Sequence, residues 1–475
     1  MAKKTPKSKS YLLDTSVILD DTDNLEHLWQ NGENSIFISD VVLSELNKKK
    51  ELLSETGFFA REFFRLINND NGKEIALHDF KSAATLEGDY IRLMYLKKKE
   101  REIPIYIVCR QHYRTKGLEH GLNDARIAEI AKDFNLILLT NDIALKIHSL
   151  SQGINAQSLY RDRVENPGEI DFWHTLNLHK DYDFSNLSKR KNFSELSDWS
   201  IIEVNEEDNT ESSLYLTGKK RFGLKIEGRF EEQRLDEILE DTNPYIKPIN
   251  LEQKLYYSML IHPKNKITVA TGSTGSGKTL IALQAGIHLV KKGVVDGIVY
   301  LRNTVTANDK EAELGFRKGD EGQKLGYFMY PLYSAVNFTI EKMQKESLAK
   351  KIEYRGDVNS IEKQEATEYF LQKHNIEVID IAHARGVTIA RKFVIFDEAQ
   401  NASSATIKLI GTRMGEESRI VFLGDWAQID HPYLSKFRNG IVSMLQKAKQ
   451  DNFIAGIQLK QTIRSEIAGW FQQNF

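Results

Sequence analysis

Short apolar runs alternate with helix-period stretches over the first 160 residues. Apolar runs from residue 11, at residues 35–39 and at residues 136–140 predict buried strands. The stretches at residues 40–46, at 121–134 and beyond 142 repeat apolar positions at helical spacing. Asp40 is the predicted cap of the first of these helices, and the second is predicted to open at Asn123 or Asp124. This alternation predicts an α/β domain on a parallel sheet, whose sites collect at the carboxyl ends of the strands.

The middle of the chain has a different pattern. After a break at residues 165–168 the composition becomes polar and acidic, and strand-like stretches follow at residues 199–204, 213–217 and 222–228. Turn-rich residues 205–210 and 218–220 separate these stretches. We therefore expect a linker with a small β-rich module across residues 161–244, and the sequence leaves its role open.

From residue 245 the alternation of strands and helices returns. A helix is predicted to begin near Pro248, and an apolar strand at residues 267–270 runs into a glycine-rich turn and a helix at 280–290. Further strands are predicted at residues 393–396 and 420–423, while the lysine-rich residues 341–364 are interpreted as a solvated helix. Residues 245–475 are therefore expected to form a second α/β domain with a parallel sheet.

Composition limits the classes of function. The chain has 475 residues, a length typical of about three domains, with 41% hydrophobic and 28% charged residues. Its net charge of -2 gives no overall attraction to nucleic acid, so such binding would depend on local basic patches. Cys109 is the only cysteine, which excludes an intrachain disulfide and a cysteine-based zinc site and suits a reducing cytoplasm. No apolar run approaches the roughly 18 residues that span a bilayer, and the basic amino terminus does not have a signal-peptide pattern.

The glycine-rich turn has the pattern of a nucleotide-binding P-loop. Its glycines let successive N–H groups point at phosphate oxygens. Lys278 then reaches the β- and γ-phosphates of ATP, and the Thr279 hydroxyl is a candidate Mg²⁺ ligand. The predicted cofactor-binding residues of the loop are Gly272, Ser273, Thr274, Gly275, Ser276, Gly277, Lys278 and Thr279.

Two later strand ends and one earlier helix complete the predicted ATP site. The strand at residues 393–396 ends in Asp397, which would hold magnesium through water, and Glu398, which would polarise the attacking water. The strand at residues 420–423 leads to Gln428, where it could sense the γ-phosphate. Gln253 can present its amide to the adenine edge, or it is an ordinary glutamine on a helix surface. The sequence position alone does not choose between these roles.

Four acidic residues follow strands or begin helices of the first domain. Asp14, Glu45, Asp124 and Asp142 together would make an oxygen-rich pocket that suits Mg²⁺ or Mn²⁺. One or two such ions could activate a water for phosphodiester cleavage. Each residue alone also has an ordinary explanation, because Asp124 and Asp142 are normal helix caps, Asp14 is a normal turn residue and Glu45 a normal exposed residue.

Two further features carry weaker signals. Phenylalanines at positions 58, 59, 63 and 64 cluster in a predicted helix, where core packing is the favoured role. Basic runs at residues 48–50 and 97–101 suit either solvated helix faces or contacts with RNA phosphates. The sequence favours neither reading of the basic runs.

The order and context of the four acidic residues resemble the PIN-domain ribonuclease family across about 150 residues. The resemblance rests on residues 12–16, 41–46, 123–129 and 138–142. It implies that the four acidic positions hold the metal and that Thr140, or else Asn141, supports the site. Because the family includes members that only bind, nuclease activity is an expectation from the resemblance.

The P-loop and the later motifs resemble superfamily-1 helicases, and more closely the PhoH family, over essentially everything after residue 245. The matching stretches are residues 250–253, 267–286, 314–320, 384–386, 397–401, 424–430 and 462–466. A PIN domain ahead of a PhoH ATPase is a known family arrangement and implies an ATP-dependent RNA-unwinding ribonuclease. Residues 246–250 depart from the family's usual Lys-Pro-Arg/Lys-Asn pattern, which weakens the prediction of adenine contacts. The lysine-rich insert at residues 341–364 is longer than is usual in the family.

The length of the carboxyl-terminal part suggests an incomplete ATP site. The resemblance implies that residues 245–475 form a RecA-like P-loop NTPase domain with a parallel sheet. Too little chain follows Gly424 for a second RecA-like domain, so we expect a charge-neutralising arginine from a neighbouring subunit. Arg464, Arg413 and Arg385 are the candidates for this role in trans. The family resemblance implies a ring-shaped homo-oligomer, a hexamer.

Together these patterns predict a cytoplasmic, ATP-driven RNA remodeller joined to a metal-dependent ribonuclease, with no membrane association. One alternative is an ATPase whose PIN domain only binds RNA or a partner protein. A second is a P-loop kinase acting on a small molecule, which is disfavoured because Glu398 and Gln428 suit the activation of water.

Overall fold

The computed structural model describes residues 8–52, 55–75, 85–98, 100–115, 121–159, 164–209, 214–302, 330–350, 360–384, 386–431, 434–462 and 470. These residues form two compact units, one made of the described residues up to 159 and one of those from 164 onward. Both units are α/β, as the sequence predicted.

The first unit is built on a seven-stranded sheet with the order β3-β4-β5-β2-β1-β6-β7. Its elements are β1 (Ser10–Leu13), α1 (Thr15–Asp20), α2 (Asp23–Trp29), β2 (Ser35–Ser39), α3 (Asp40–Lys49), α4 (Glu55–Leu66), β3 (Ile67–Ile75), β4 (Tyr90–Lys98), β5 (Arg101–Cys109), α5 (Leu122–Asp133), β6 (Ile137–Leu139), α6 (Ile143–Ser151) and β7 (Ala156–Gln157). The strands from β5 to β7 pair in parallel, which confirms the predicted parallel sheet. The antiparallel extension through β4 and β3 was not predicted.

Local details of the first unit refine the sequence interpretation. Phe59 and Phe63 are 4% and 0% exposed on α4, which confirms their predicted core role. Asp40 is not the cap of α3, because Ser39 is the N-cap and its Oγ accepts from Val42 N–H at 3.2 Å. Helix α5 begins at Leu122, before both of the predicted starts at Asn123 and Asp124.

The second unit contains a four-stranded sheet and a six-stranded sheet. Its elements are β8 (Trp173–His179), α7 (Lys191–Ser194), β9 (Ile201–Asn209), β10 (Leu214–Ile226), β11 (Arg229–Glu232), α8 (Leu235–Thr242), α9 (Leu251–Ile261), β12 (Ile267–Gly272), α10 (Lys278–Lys291), β13 (Gly297–Arg302), α11 (Tyr330–Lys350), α12 (Ser360–Lys373), β14 (Ile376–Asp380), α13 (Ile381–Ala384), β15 (Lys392–Asp397), α14 (Ser404–Gly411), β16 (Arg419–Gly424), α15 (Gly440–Gln450) and β17 (Ile454–Leu459). The six-stranded sheet is parallel throughout, in the order β14-β13-β15-β16-β12-β17.

The four-stranded sheet, ordered β11-β10-β9-β8, corrects the predicted β module. The predicted turn at residues 205–210 is wrong for residues 205–209, which continue β9 and pair with β10. The predicted turn at residues 218–220 is instead a shift of register inside β10, between Leu216 and Lys220. Strand β8, which pairs in parallel with β9, was missed.

The four-stranded sheet shares an apolar core with helix α9. Trp199 and Leu224 belong to the same apolar cluster as Leu255 and Tyr256 of helix α9. Burial of this surface stabilises by about 25 cal/mol per Å² of apolar area, so it fixes the four-stranded sheet to the part of the second unit that carries the P-loop. The lysine-rich insert is divided between α11 and α12, and its residues 351–359 lie outside the described residues.

Candidate active sites

Two neighbouring strands place acidic residues at one edge of the first unit. β1 and β6 pair in parallel, with Leu13 opposite Leu139, so Asp14 and Asp142 follow equivalent strand ends. Both residues are helix N-caps, since Asp14 accepts from Ser16 N–H and Asp142 accepts from Ala144 N–H at 2.7 Å. The predicted capping role of Asp142 is therefore confirmed, and Asp14, predicted as a turn residue, is also a cap. The predicted cap at Asp124 is wrong, because Gly121 is the N-cap of α5 and Asp124 lies in the first turn of that helix.

Hydroxyl groups connect these two strand ends. Asp14 Oδ2 accepts from Ser16 Oγ at 2.5 Å and from Thr140 Oγ1 at 2.8 Å. Thr140 Oγ1 in turn accepts from the backbone N–H of Asp142 at 3.0 Å. Thr140 is fully buried, so one hydroxyl fixes the spacing of both acidic residues. Asn141 contributes differently, because its Oδ1 accepts from Leu159 N–H at 3.3 Å and so holds the following chain.

Glu45 and Asp124 come to the same place from two helices. Glu45 lies on α3, where its carboxylate accepts from Thr15 Oγ1 and from Asn123 Nδ2, the latter at 2.8 Å. Asn123 therefore ties the start of α5 to α3 and brings Asp124 toward the other acids. The pKa of Asp124 is raised to about 6 by burial and then by the charges of Asp14, Asp142 and Glu45.

This donor set fits a hard divalent cation by its chemistry. Burial raises the pKa of Asp14, and the charge of Glu45 raises it further, so a cation would relieve a repulsion already present in the fold. Asp14, Glu45, Asp124 and Asp142 are the residues that would hold Mg²⁺ or Mn²⁺. Within the ranges given above, however, no three His, Cys, Asp or Glu side chains are already arranged as a metal-binding group.

The second unit forms a phosphate-binding loop between β12 and α10. Gly277 has φ of +88°, a backbone conformation that side chains disfavour. A Cβ on Gly272 would lie only 2.5 Å from Leu459 O, so the loop packs closely against β17. Lys278 Nζ donates to the carbonyls of Gly272 and Ser273 at 2.6 and 3.1 Å. This concave loop with a cation inside it fits a polyphosphate.

The predicted magnesium-binding residues of the second unit meet directly. Thr279 Oγ1 donates to Asp397 Oδ2 at 3.0 Å, which joins the P-loop helix to the end of β15. Tyr300 OH, from β13, donates to the same carboxylate oxygen at 2.8 Å. Burial and the neighbouring Asp397 charge raise the pKa of Tyr300, so it remains a neutral donor. Thr279 and Asp397 are the residues that would hold the ion of a bound Mg²⁺–nucleotide.

Glu398 lies next to this pair in a constrained position. Its φ of +55° is in the left-handed region, and Gln400 Nε2 donates to its Oε2 at 2.5 Å. Burial, followed by the charge of Asp397, raises the pKa of Glu398 and makes it a stronger base. Arg302 at the end of β13 lies 3.8 Å from the Glu398 carboxylate.

Two predicted glutamines contact the P-loop from different sides. Gln428 Oε1 accepts from Thr274 Oγ1 at 3.2 Å, which places the residue after β16 beside the loop. Gln253 is only 3% exposed, and its Nε2 donates to Ser276 O at 2.9 Å. Its adenine-reading role stays a prediction, while the expectation of a surface glutamine is wrong.

The arginines proposed to act in trans are only partly described. Arg413 precedes the bridge between Met414 and Ile389, and its Nε is buried without a hydrogen-bond partner among the described residues. Arg385, Arg464 and the motif at residues 314–320 lie outside the described residues. The role in trans therefore stays a prediction for all three arginines.

Several contributing residues were missed from the sequence. No site role was predicted for Ser16 or for Asn123, although the first donates a hydrogen bond to Asp14 and the second to Glu45. Tyr300 and Arg302 could have been found by following the apolar run at residues 298–301 to its polar end. In one of the two basic runs, Lys98 pairs with Asp23 and Arg101 with Glu26, which favours a structural role for that run.

Comparisons with known proteins match two separate stretches of the chain. Residues 11–160 match the family model described as PIN domain, and residues 245–475 match the model described as PhoH-like protein. Protein PhoH2 of Bacillus subtilis is 26% identical, covering 97% of this chain and 98% of the relative. Protein PhoH2 of Mycolicibacterium smegmatis is 23% identical, covering 97% and 95%. The PhoH-like protein of Synechocystis sp. is 30% identical over 43% of this chain and 50% of its own length.

No helix in the described part of the chain is long and apolar enough to cross a membrane. The second unit has the parallel sheet, phosphate loop and paired Thr279 and Asp397 of a P-loop nucleotide hydrolase. The first has the acidic strand ends on which its resemblance rested. The chain therefore joins an amino-terminal PIN domain to a carboxyl-terminal P-loop domain of the PhoH family.

Proposed function

We propose that this chain uses ATP hydrolysis to remodel or unwind RNA and cuts RNA at a metal-dependent site in its PIN domain. One observation carries the proposal: each unit gathers its chemistry at the carboxyl edge of its own parallel strands. In the PhoH domain this is the bonded pair of Thr279 and Asp397 beside Lys278, and in the PIN domain it is the acidic set around Asp14. PIN and PhoH domains are generally associated with RNA, which supports RNA as the shared substrate.

The residues of the PhoH domain have separable roles in ATP hydrolysis. Lys278 exchanges its bonds to two loop carbonyls for the negative charge of the β- and γ-phosphates. Glu398, whose pKa is raised by burial, accepts a hydrogen bond from the attacking water and is held by Gln400. Gln428 lies beside Thr274 of the loop, where it can respond to the terminal phosphate. The magnesium ion of the bound nucleotide would supply neutralisation of phosphate charge.

The residues of the PIN domain prepare a water and a phosphodiester for cleavage. Mg²⁺ or Mn²⁺ held there would lower the pKa of a water and stabilise the leaving oxygen. Asp14 is oriented by the hydroxyls of Ser16 and Thr140, and Glu45 by Thr15 and Asn123. These neutral donors fix the carboxylates without cancelling their charge, so the full charge remains for an ion.

The ATPase is proposed to work as a homo-oligomeric ring, a hexamer, in the cytoplasm. The support is that the described PhoH domain contains one six-stranded parallel sheet, so an arginine from a second such domain would come from a neighbouring copy. Arg464, Arg413 and Arg385 remain the candidates. Sedimentation of the active protein tests this, and a stable monomer with full ATPase activity would exclude it.

A second candidate function is an ATPase whose PIN domain binds RNA or a partner without cutting. The favouring observation is that no three candidate ligands in the described chain already form a metal-binding group. Titration of the protein with Mg²⁺ and Mn²⁺ in the absence of nucleotide separates the two functions. Binding that Asp14→Asn abolishes supports the nuclease, and the absence of binding supports the second function.

The proposal is tested by two assays on one preparation, ATP turnover with and without RNA and cleavage of the same RNA. We expect RNA to stimulate turnover and divalent metal to be required for cleavage. Turnover that RNA does not change, together with no cleavage in Mg²⁺ or Mn²⁺, would exclude both halves of the proposal. Transfer of the γ-phosphate to an acceptor other than water would support the kinase instead.

A further inference from the structure

Gln253 occupies a position in the PhoH domain that does not suit a base-reading residue. Both polar atoms of its side-chain amide form hydrogen bonds to the backbone. Oε1 accepts from Ile249 N–H at 3.0 Å, and Nε2 donates to Ser276 O at 2.9 Å. The side chain is 3% exposed. The amide keeps one further N–H and one further lone pair, but because the side chain is buried, an adenine edge could reach them only if the surrounding residues moved or one of these bonds broke.

The bond to Ser276 acts on the part of the loop that faces phosphate. A trans peptide directs its C=O and its N–H in opposite directions, so anchoring the Ser276 carbonyl directs Gly277 N–H away from Gln253. The contact is close, because a Cβ on Gly277 would lie 2.5 Å from Gln253 Nε2. Glycine at position 277, with φ of +88°, is therefore required both by the backbone and by the glutamine.

The other bond acts on the lead-in segment, residues 245–250. Ile249 N–H is held by Gln253, and Asn250 caps α9 by accepting from Gln253 N–H at 2.9 Å. The Ile249 side chain is 71% exposed beside this anchor. An aliphatic side chain can contact the face of any base but cannot distinguish the hydrogen-bonding edges of adenine and guanine.

We propose that Gln253 positions the phosphate loop and does not read the nucleobase, so that the site accepts ATP and GTP alike. This inference rests on the proposed nucleotide hydrolysis and names its substrate class, purine nucleoside triphosphates. Gln253 is a positioning residue, since it acts on phosphate through the Ser276–Gly277 peptide. Its contribution to binding is the same for ATP, for GTP and for inorganic tripolyphosphate, which carries no base.

The test measures equilibrium binding of Mg²⁺ complexes of ATP, GTP and tripolyphosphate to the full chain by calorimetry. Gln253→Met fills the buried volume and removes both polar atoms, and we expect it to weaken all three ligands by one common factor of about tenfold. Gln253→Asn keeps a polar side chain but is too short to span both backbone partners, and it should show the same common loss. This second variant preserves the test if the methionine variant does not fold.

Gln284→Met is the matched control. Gln284 is equally buried, at 1% exposed, and its Oε1 accepts from Ile246 N–H of the lead-in segment at 3.2 Å. Its Nε2 donates to Thr339 rather than to the loop. We expect this variant to leave the affinity for tripolyphosphate unchanged.

Two results would overturn the inference. One is a loss confined to ATP in the Gln253 variants, with tripolyphosphate bound as in the wild type. The other is a wild-type preference for ATP over GTP greater than about 100-fold, which a site without base-edge contacts cannot provide. Because all three ligands are measured without RNA, failure of the RNA-remodelling proposal would leave this test intact.

Discussion

The PIN and PhoH domains each place their candidate site at the carboxyl edge of their own parallel strands, but the charged groups at the two sites differ. In the PhoH domain the Lys278 ammonium lies within the loop, and Asp397 receives hydrogen bonds from two neutral hydroxyls. In the PIN domain burial, together with the charges of the neighbouring carboxylates, raises the pKa of Asp124 to about 6. The first arrangement is prepared for an anion, whereas the second needs a cation to become stable in its charged form. The same fold principle therefore supports two distinct ligands.

Lys278→Ala should have the largest effect and act on one domain only. Loss of the ammonium removes charge stabilisation at the transferred phosphate, so ATP turnover should fall by about 10²–10³-fold. Cleavage of single-stranded RNA should remain. Lys292→Ala, at the opposite end of α10, is the control and should keep both activities. Loss of single-strand cleavage in Lys278→Ala would show that the two sites are not independent.

Asp14→Asn should have the complementary effect. It removes a charge from the proposed metal site, so RNA cleavage should fall at least about 100-fold while ATP turnover is retained. Asp20→Asn is a matched control, because Asp20 is also a buried aspartate of the same segment, at 6% exposed. Normal cleavage by purified Asp14→Asn would contradict the nuclease assignment.

Metal binding by the PIN domain should depend on pH, because Asp124 is one of the proposed ligands. Its pKa is raised to about 6, so the carboxyl is protonated below that pH and ionised above it. A metal competes with this proton, so Mg²⁺ affinity without nucleotide should be about tenfold weaker at pH 5 than at pH 8. Calorimetric titration at the two pH values measures this. Equal affinities would mean that Asp124 does not titrate in the metal site.

Thr140→Val should have the smallest effect. The substitution keeps the shape and removes a fully buried hydroxyl that bonds Asp14 and the backbone of Asp142. Loss of this orientation should lower cleavage about fivefold and leave ATP turnover unchanged. Thr22→Val removes another buried hydroxyl, bonded to Glu62 at 2.7 Å, and is the control. An equal loss of cleavage in both variants would indicate general destabilisation.

The sequence predicted the two α/β domains and the strand ends because each depends on local signals. Apolar runs that end in Asp14 or Asp397 predict a strand and its carboxyl edge together. The strand at residues 205–209 was less predictable, because these residues are polar and their strand conformation depends on pairing with β10 and β8 rather than on local hydrophobicity.

The hydrogen-bond partners of the site residues also could not be predicted from the local sequence. Asn123 contacts Glu45, 78 positions earlier, and Thr279 contacts Asp397, 118 positions later. Gln253 shows the same limit, since its motif suggested a base contact whereas packing buried its amide against Ser276. Tertiary contacts therefore decided the hydrogen-bond partners of side chains whose local sequence allowed several roles.

Coupling of the two sites is tested most directly with an RNA whose cleavable segment lies within a duplex. Cleavage is followed with and without ATP, using wild type and Lys278→Ala. The account predicts that ATP increases duplex cleavage by the wild type, and that Lys278→Ala loses this increase but still cuts the single-stranded form of the same RNA. Duplex cleavage by Lys278→Ala at the rate of the ATP-supplied wild type would contradict it.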